Sequence, residues 1–312
     1  MFEHQHLDIY PQKQRQYRNH ALDSTAWDNF PARPGDIIIT TALKAGTTWM
    51  QNIVANLIFQ GYEIPQPLWQ LTPWLDTRGG GSTAEKLALL EAQTHRRFIK
   101  THLPLDALPY FPQANYIYVC RDGRDIFMSL WNHYRHLNPE IIKRFNSTPE
   151  RANDPFPACP ENIHAFFHLW MTRSWFDWEH DGFPFWSSFY HLQSWWDYRH
   201  LPNIYFVHFN DLLADLEGQM RSIAAILNIK VNETIWPQLV NQSTFKTMKA
   251  NAGSIVAGGG DFLIDGARQF LHKGTNGRWK GILTKEELNL YDRCADERLS
   301  PECRKWMMCC AA

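Results

Sequence analysis

Four short stretches hold residues whose types and spacing could do chemistry on a phosphate-like group. Residues 40–49 read TTALKAGTTW, after an apolar run and at the start of an amphipathic one. That pattern is a strand end, a tight loop and a helix start. The first turn of a helix leaves backbone N–H groups unpaired and partly positive, which suits an anion. Gly46 would let the backbone approach it, Thr47 and Thr48 offer hydroxyls, and Lys44 adds a full charge. The lysine stands two residues before the glycine, whereas the nucleoside triphosphate loop places it directly after one.

The second stretch, Lys100-Thr101-His102-Leu103-Pro104, puts a histidine beside a lysine at a strand end. Imidazole titrates near neutral pH and suits base catalysis, although a lone histidine is more often a hydrogen-bonded structural residue. The third runs from Arg121 to Ser129. Arginine suits bidentate recognition of a phosphate, and Ser129 falls two turns into the following helix. Arg124 and Asp125 read better as a surface pair. The fourth, FLHKGTNGRWK at 270–280, offers cations and glycine amides for a second clamp on a polyanion, or a solvated turn.

The elements that must position these residues alternate. Asp36–Thr41, Phe98–Lys100, Tyr116–Cys120 and Ile204–Phe209 read as strands. Between them, Trp49, Ile53 and Leu57, with Met50, Val54 and Ile58, mark one helix, stopped by Gly61 and Pro65. Ile126, Phe127, Leu130, Trp131 and Tyr134 mark another. Asn210 is placed to cap a helix with the apolar row Leu213, Leu216, Met220, Ile223 and Leu227. Alternation of this kind predicts an α/β domain on a parallel sheet, whose ligands sit beyond the carboxyl ends of the strands. With no repeat and no clean linker, 1–312 reads as a single domain. Gly79–Gly81, residues 138–160 and Gly258–Gly260 look mobile, and such loops are often lids.

The chain has 312 residues, 44% hydrophobic and 20% charged, with a formal net charge of −1. This excludes a basic nucleic-acid binder in favour of a local pocket for one anion. No apolar run reaches the length of a membrane span, and the first 18 residues are too polar for a secretory signal, so a cytoplasmic protein is expected. Six cysteines, four of them at 294, 303, 309 and 310, make neither a disulfide framework nor a metal-ligand spacing.

Taken together, the motifs resemble the cytosolic-type sulfotransferases that use 3′-phosphoadenosine 5′-phosphosulfate (PAPS), with a bacterial-like member implied. The resemblance runs collinearly from about residue 35 to 285. It includes Thr-x-x-Lys-x-Gly-Thr-Thr-Trp at 41–49, Lys-Thr-His-Leu-Pro at 100–104 and Arg121 eight residues before Ser129. It continues through Trp195-Trp196-Asp197, Thr244-Phe245-Lys246-x-Met248 and Lys273-Gly274-x-x-Gly277-x-Trp279-Lys280.

The resemblance implies a P-loop-like three-layer fold and a set of roles. Lys44, Ala45, Gly46, Thr47, Thr48 and Trp49 would hold the 5′-phosphosulfate end, with Trp49 stacking on adenine. Arg121 and Ser129 would bind the 3′-phosphate with the segment His272, Lys273 and Gly274. Phe209, Ser243 and Phe245 would contact adenine. His102 would be the general base, Lys44 would meet the leaving oxygen, and Lys100 would support the equatorial oxygens. The product would be adenosine 3′,5′-bisphosphate (PAP), and no metal would be required. Three positions depart from the family pattern: His272 stands for an Arg, Phe209 for a Tyr, and Ala45 for a Ser. The family's short dimer motif is not found.

Two other readings are a nucleotide-dependent small-molecule kinase on a related fold and a non-catalytic nucleotide-binding protein. The missing G-x-x-x-x-G-K-[ST] opposes the first, and the complete set of chemical residues opposes the second. A chain with 14 Trp, 11 Tyr and 19 Phe, dense in aromatics from Phe166 to Tyr198, points to an apolar small-molecule acceptor bearing a hydroxyl: an alcohol, a phenol or a glycolipid. Phe166, Trp170 and Ser174 share a helical row, so part of that cluster is core.

Overall fold

The computed structural model describes residues 10–308 apart from 63 and 152. Cys309, Cys310 and the first nine residues lie outside the described residues. Four short parallel strands form the centre: β1 (Ile37–Thr41), β2 (Phe98–Thr101), β3 (Asn115–Cys120) and β4 (Ile204–His208). They are hydrogen-bonded in the order β2-β1-β3-β4. The register pairs Thr40 with Thr101, Thr41 with Val119 and Cys120 with His208, so the carboxyl ends lie side by side.

Both faces of this sheet are covered, because successive side chains point to opposite sides. Ile37 and Ile39 join one apolar layer with Met50, Ile53 and Val54 of helix α1 (Thr47–Phe59). Ile38 joins the other with Phe127 of α2 (Gly123–Arg135), Phe166 and Trp170 of α3 (Ile163–Thr172), and Trp195 of α4 (Ser188–Trp196). The result is three layers about a parallel sheet, as the alternation predicts. Helices start where a side chain can take over an orphan N–H: Asp122 caps α2, Asn162 caps α3 and Ser187 caps α4.

The differences from the sequence reading have local causes. Phe209 opens a helix, Phe209–Ala214, and does not end β4. The cap there is His208, whose ring Nδ1 accepts from the Asn210 N–H at 3.1 Å. The apolar row read as one helix breaks at Asp215, whose carboxylate caps a second helix, Leu216–Ile226. The row through Phe166 and Trp170 stops before Ser174, since α3 ends at Thr172. Residues 138–160 contain a helix, Pro139–Asn146, capped by the Asn138 side chain with proline in its first turn. The aromatic cluster is largely core: Phe166, Phe167, Trp170 and Trp195 are all buried.

The starting ends of β1 and β2 are tied by a buried ion pair. Arg97 donates to both oxygens of Asp36, at 2.9 and 2.6 Å, and to the Pro31 carbonyl at 2.8 Å. Arg97 also donates to exposed Glu91 at 2.9 Å, so removing the Asp36 charge leaves the buried guanidinium with only a solvent-screened counter-ion, at a cost of up to about 3–5 kcal/mol. Asp36→Asn is therefore expected to lower the unfolding free energy by about that amount. The check is urea denaturation followed by tryptophan fluorescence; an unchanged midpoint would show that the pair holds nothing.

Candidate active site

The switch in strand order lies between β1 and β3, the place where open α/β sheets receive ligands. There β1 runs into a loop and then α1. Gly46 occupies the cap position at φ 122°, and no side chain caps the helix. The first turn holds no acidic residue, and the first cap-type bond runs from the Met50 N–H to the Gly46 carbonyl at 3.1 Å. The amides of Thr47, Thr48 and Trp49 are thus left for an anion. A Cβ on Gly46 would stand 2.9 Å from Cδ2 of Phe209. Only glycine fits at this positive φ with the Phe209 ring so close. Ala45 is buried against Ala42 and Ile126, which a larger residue would disturb.

Lys44 takes a left-handed conformation, φ 67°, at a cost of roughly 1–2 kcal/mol for a residue with a Cβ. Its ammonium lies 4.0 Å over the Phe270 ring. Burial, then Lys100 and Arg121, bring its pKa down to about 7. Lys100 is lowered to about 8 by burial, partly offset by Asp76. Asp76 itself is enclosed and accepts from the indoles of Trp27 and Trp74 at 2.9 and 2.8 Å. Trp74 also faces the Lys100 ammonium (5.1 Å) and stands edge-on to His102 (4.9 Å).

His102 follows β2 directly. Its Nδ1 lies 2.8 Å from the Thr41 carbonyl oxygen, and a carbonyl can only accept. The ring proton is therefore on Nδ1, and Nε2 keeps its lone pair. The Thr41 hydroxyl adds a contact to Nδ1 at 3.2 Å and shares a 2.6 Å hydrogen bond with Thr47. Thus the base candidate and the anion loop are fixed by one residue. Burial first, and then Lys100, hold the imidazole well below its ordinary pKa. Helix α4 braces the loop that follows: Trp195 donates to the Leu103 carbonyl at 3.2 Å, and Ser194 accepts from the Leu105 N–H at 3.0 Å.

Arg121 lies flat over Phe209, 4.2 Å from the ring centre. Its Nε and Nη2 donate to the Asn276 side chain and the Thr275 carbonyl at 2.7–3.0 Å. Nη1 takes no part in these bonds. Asp125 accepts from the Gly277 N–H at 2.7 Å, so the 270–280 stretch is clamped to the start of α2. Arg278 donates to Nδ1 of His272 at 3.2 Å. Burial and the neighbouring Arg278 lower the pKa of His272, which keeps it an acceptor. Arg124 pairs with its own helix cap, Asp122, at 2.5 Å and covers Trp279.

A third wall is aromatic. Trp49 stands edge-on to Phe209 at 5.2 Å and donates its indole N–H to the Ser243 carbonyl at 2.7 Å. The buried Ser243 hydroxyl accepts from Asn56 at 2.9 Å, so both polar groups of Ser243 are tied to α1. Gly274, at φ 65°, packs so closely on Phe245 that an added Cβ would meet the ring at 2.5 Å.

The structure therefore brings together Lys44, Gly46, Thr47, Trp49, Lys100, His102, Arg121 and Phe209 through shared contacts. Ser129 lies half-buried on α2, and Lys273 is exposed at the edge. Residues that the sequence reading did not single out as site residues are Thr41, Trp74, Asp76, Phe270 and Asn276. Trp-x-Asp ahead of a glycine run was the one visible sign of the Lys100 seat. Among the described residues, no group of three or more His, Cys, Asp and Glu side chains could hold a metal ion. Among the described residues no helix is long and apolar enough to cross a membrane.

A family model described as a sulfotransferase domain matches residues 34–301. A glycolipid sulfotransferase of Mycobacterium bovis is 31% identical over 305 residues, covering 93% of each chain. Sulfotransferase 1A1 of Rattus norvegicus is 27% identical over 275 residues, 85% of this chain and 84% of its own. Among solved structures, mouse sulfotransferase SULT7A1 complexed with PAP matches with a TM-score of 0.66 at 22% identity, over 90% of this chain and 91% of that one. Retinol dehydratase in complex with androsterone and inactive cofactor PAP matches at 0.67 and 22%, over 90% and 87%. At that level of identity the structural likeness speaks for the fold.

The geometry at His102 makes a direct prediction. Since burial and Lys100 lower its pKa, the ring stays neutral below the ordinary imidazole range, in the Nδ1–H tautomer. Long-range ¹H–¹⁵N correlation spectra, assigned against His102→Gln, are expected to show one unprotonated Nε2 that persists below the pH at which an ordinary imidazole protonates, about 6.5. An imidazolium above that pH would overturn the tautomer and the field argued for it.

Proposed function

The chain belongs to the sulfotransferase domain family, and on that premise we propose that it moves a sulfuryl group from PAPS to a hydroxyl on a largely apolar small molecule. The observation that carries the proposal is the uncapped start of α1, ringed by Lys44 and Lys100, beside a neutral His102 whose Nε2 is open.

The residues present fit the donor. The α1 amides and Thr47 would take the phosphosulfate end, and Lys44 would face the bridging oxygen. Nη1 of Arg121, Ser129 and Arg278 would take the 3′-phosphate, with His272 orienting Arg278 in place of the family's arginine. Trp49, Phe209 and Phe245 would line adenine. In the transfer, the acceptor hydroxyl gives its proton to Nε2 of His102 while its oxygen bonds to sulfur. The bond from sulfur to the bridging oxygen breaks, and that oxygen leaves with the electron pair onto PAP. Cations fixed beforehand around the developing charge supply much of the rate, as in phosphoryl transfer. Half-buried Trp74, Phe262 and Phe270 form an apolar wall beside His102 and Lys44, and the mycobacterial relative named for glycolipid supports an acceptor with an apolar body.

Two outcomes test this reading. His102→Ala is expected to lower kcat about 10²–10⁴-fold while PAP still binds. Turnover equal to wild type with PAPS and a panel of alcohols, phenols and alkyl glycosides would remove the base assignment, and tighter calorimetric binding of ATP than of PAP would remove the donor. Second, Lys44 near 7 and Lys100 near 8 are partly neutral above neutral pH. A dianion beside them raises both pKa values, so binding should take up protons and weaken as pH rises from about 7 to 9. Calorimetry in buffers of differing ionisation enthalpy reads this directly, and Lys44→Met should abolish most of the uptake.

A further inference from the structure

His133 lies on α2 four residues after Ser129, which places both side chains on one face of the helix. Its ring stands edge-on to Phe262 at 5.8 Å and to Phe270 at 5.7 Å. Phe270 is the ring that carries the Lys44 ammonium on its face. Both Lys44 and Lys100 lie close enough to act on the protonation of His133, as does His136. Burial and these cations keep it neutral, and a neutral imidazole has one donor and one acceptor to satisfy. Its Nδ1 is enclosed without a partner, while the residue as a whole remains partly open beside the half-buried Phe262 and Phe270. A buried polar atom left unpaired beside a reaction centre calls for an explanation.

We propose that His133 is a specificity-determining residue that hydrogen-bonds a second hydroxyl of the acceptor, selecting sugar-bearing acceptors over single-hydroxyl alcohols and phenols. The assignment rests on the sulfuryl-transfer reading above and refines its acceptor. His102 would face the reacting oxygen from the end of β2, and His133 would approach from α2, edge-on to the Phe270 ring that also carries Lys44. A simple alcohol has nothing to offer the second ring and leaves it unpaired. A hexose presents a neighbouring hydroxyl that can both donate and accept. A site built to pair such a group discriminates strongly against analogues that lack it.

The test compares wild type, His133→Phe and His133→Asn with PAPS as donor and two acceptors of equal chain length, octyl β-glucoside and 1-octanol. The readout is the ratio of kcat/KM for the glucoside to that for the alcohol, with melting temperature and PAP affinity recorded for each variant. His133→Phe is expected to lower that ratio about 10- to 100-fold, and His133→Asn, which keeps a donor and an acceptor, should recover part of it. A ratio unchanged within about twofold in all three proteins would overturn the assignment, as would wild type favouring octanol. If PAP binds but neither these nor other acceptors receive sulfate, the transfer reading itself fails, which the nucleotide and ratio measurements separate from failure of His133 alone.

Discussion

Three cations share a half-buried space at the ends of β1, β2 and β3, and the rest of the site is arranged to hold them there without neutralising them. Lys44, Lys100 and Arg121 each lie over an aromatic ring: Phe270 at 4.0 Å, Trp74 at 5.1 Å and Phe209 at 4.2 Å. A ring face attracts a cation by about 0.5–2 kcal/mol but leaves its charge intact. A contacting carboxylate would attract more strongly and cancel the field a bound anion needs. The carboxylates present stand one layer back: Asp76 is occupied by two indoles and Asp125 by the Gly277 amide. A chain with net charge −1 thus concentrates positive potential in one place.

That crowding sets the chemistry of His102. With two ammoniums nearby, an imidazolium would add a third mobile charge, so the ring is neutral and basic at Nε2 only because Thr41 fixes the proton on Nδ1. Thr41 ends β1, and its hydroxyl also binds Thr47 in the first turn of α1. Parallel pairing of β1 with β2 brings that carbonyl next to the histidine. The sheet register therefore selects the tautomer. An antiparallel neighbour would present a different strand end at this place.

Much of this was legible in the sequence, because strand-end motifs in alternating α/β elements must converge. The lysine, glycine and threonine loop, His102 and Arg121 were all found from local pattern. The aromatic seats were not. Phe270 and Trp74 come from distant segments, and nothing in composition separates them from the core rings between Phe166 and Tyr198; Phe209 was read as an adenine contact and not as the seat of Arg121. Asn276 was read only as part of a charged turn, and its hydrogen bonds to Arg121 across 155 positions leave no periodic trace. The Asn210 cap failed for a related reason: the helix starts at Phe209, at the sheet end, where the His208 ring takes the Asn210 N–H, and Asp215 caps the next helix at the Gly218 N–H.

The two halves of the site rest on different kinds of structure, and this bears on how acceptor choice is set. The donor half is built on strand ends and helix starts packed tightly together, as where the Phe209 ring lies against Gly46. On the proposed reading the acceptor half would be framed by the stretches that read as mobile, and these meet one another. A Cβ on Gly79 would lie 3.6 Å from the Phe145 ring, while Arg78 pairs with Asp154 at 3.2 Å. The Asn138 N–H donates to the Phe262 carbonyl and the Ile264 N–H to the His136 carbonyl, both at 2.9 Å. Helix Pro139–Asn146 buries no residue fully, so changes there disturb little core. Substitutions on these segments can reshape the acceptor wall while the cations, the α1 amides and His102 stay in place. His133 stands where the two halves join: its helix begins at the Arg121 clamp and ends beside the 260s loop. A change at that position therefore acts on acceptor choice from the rigid side, which loop exchange alone would not reproduce.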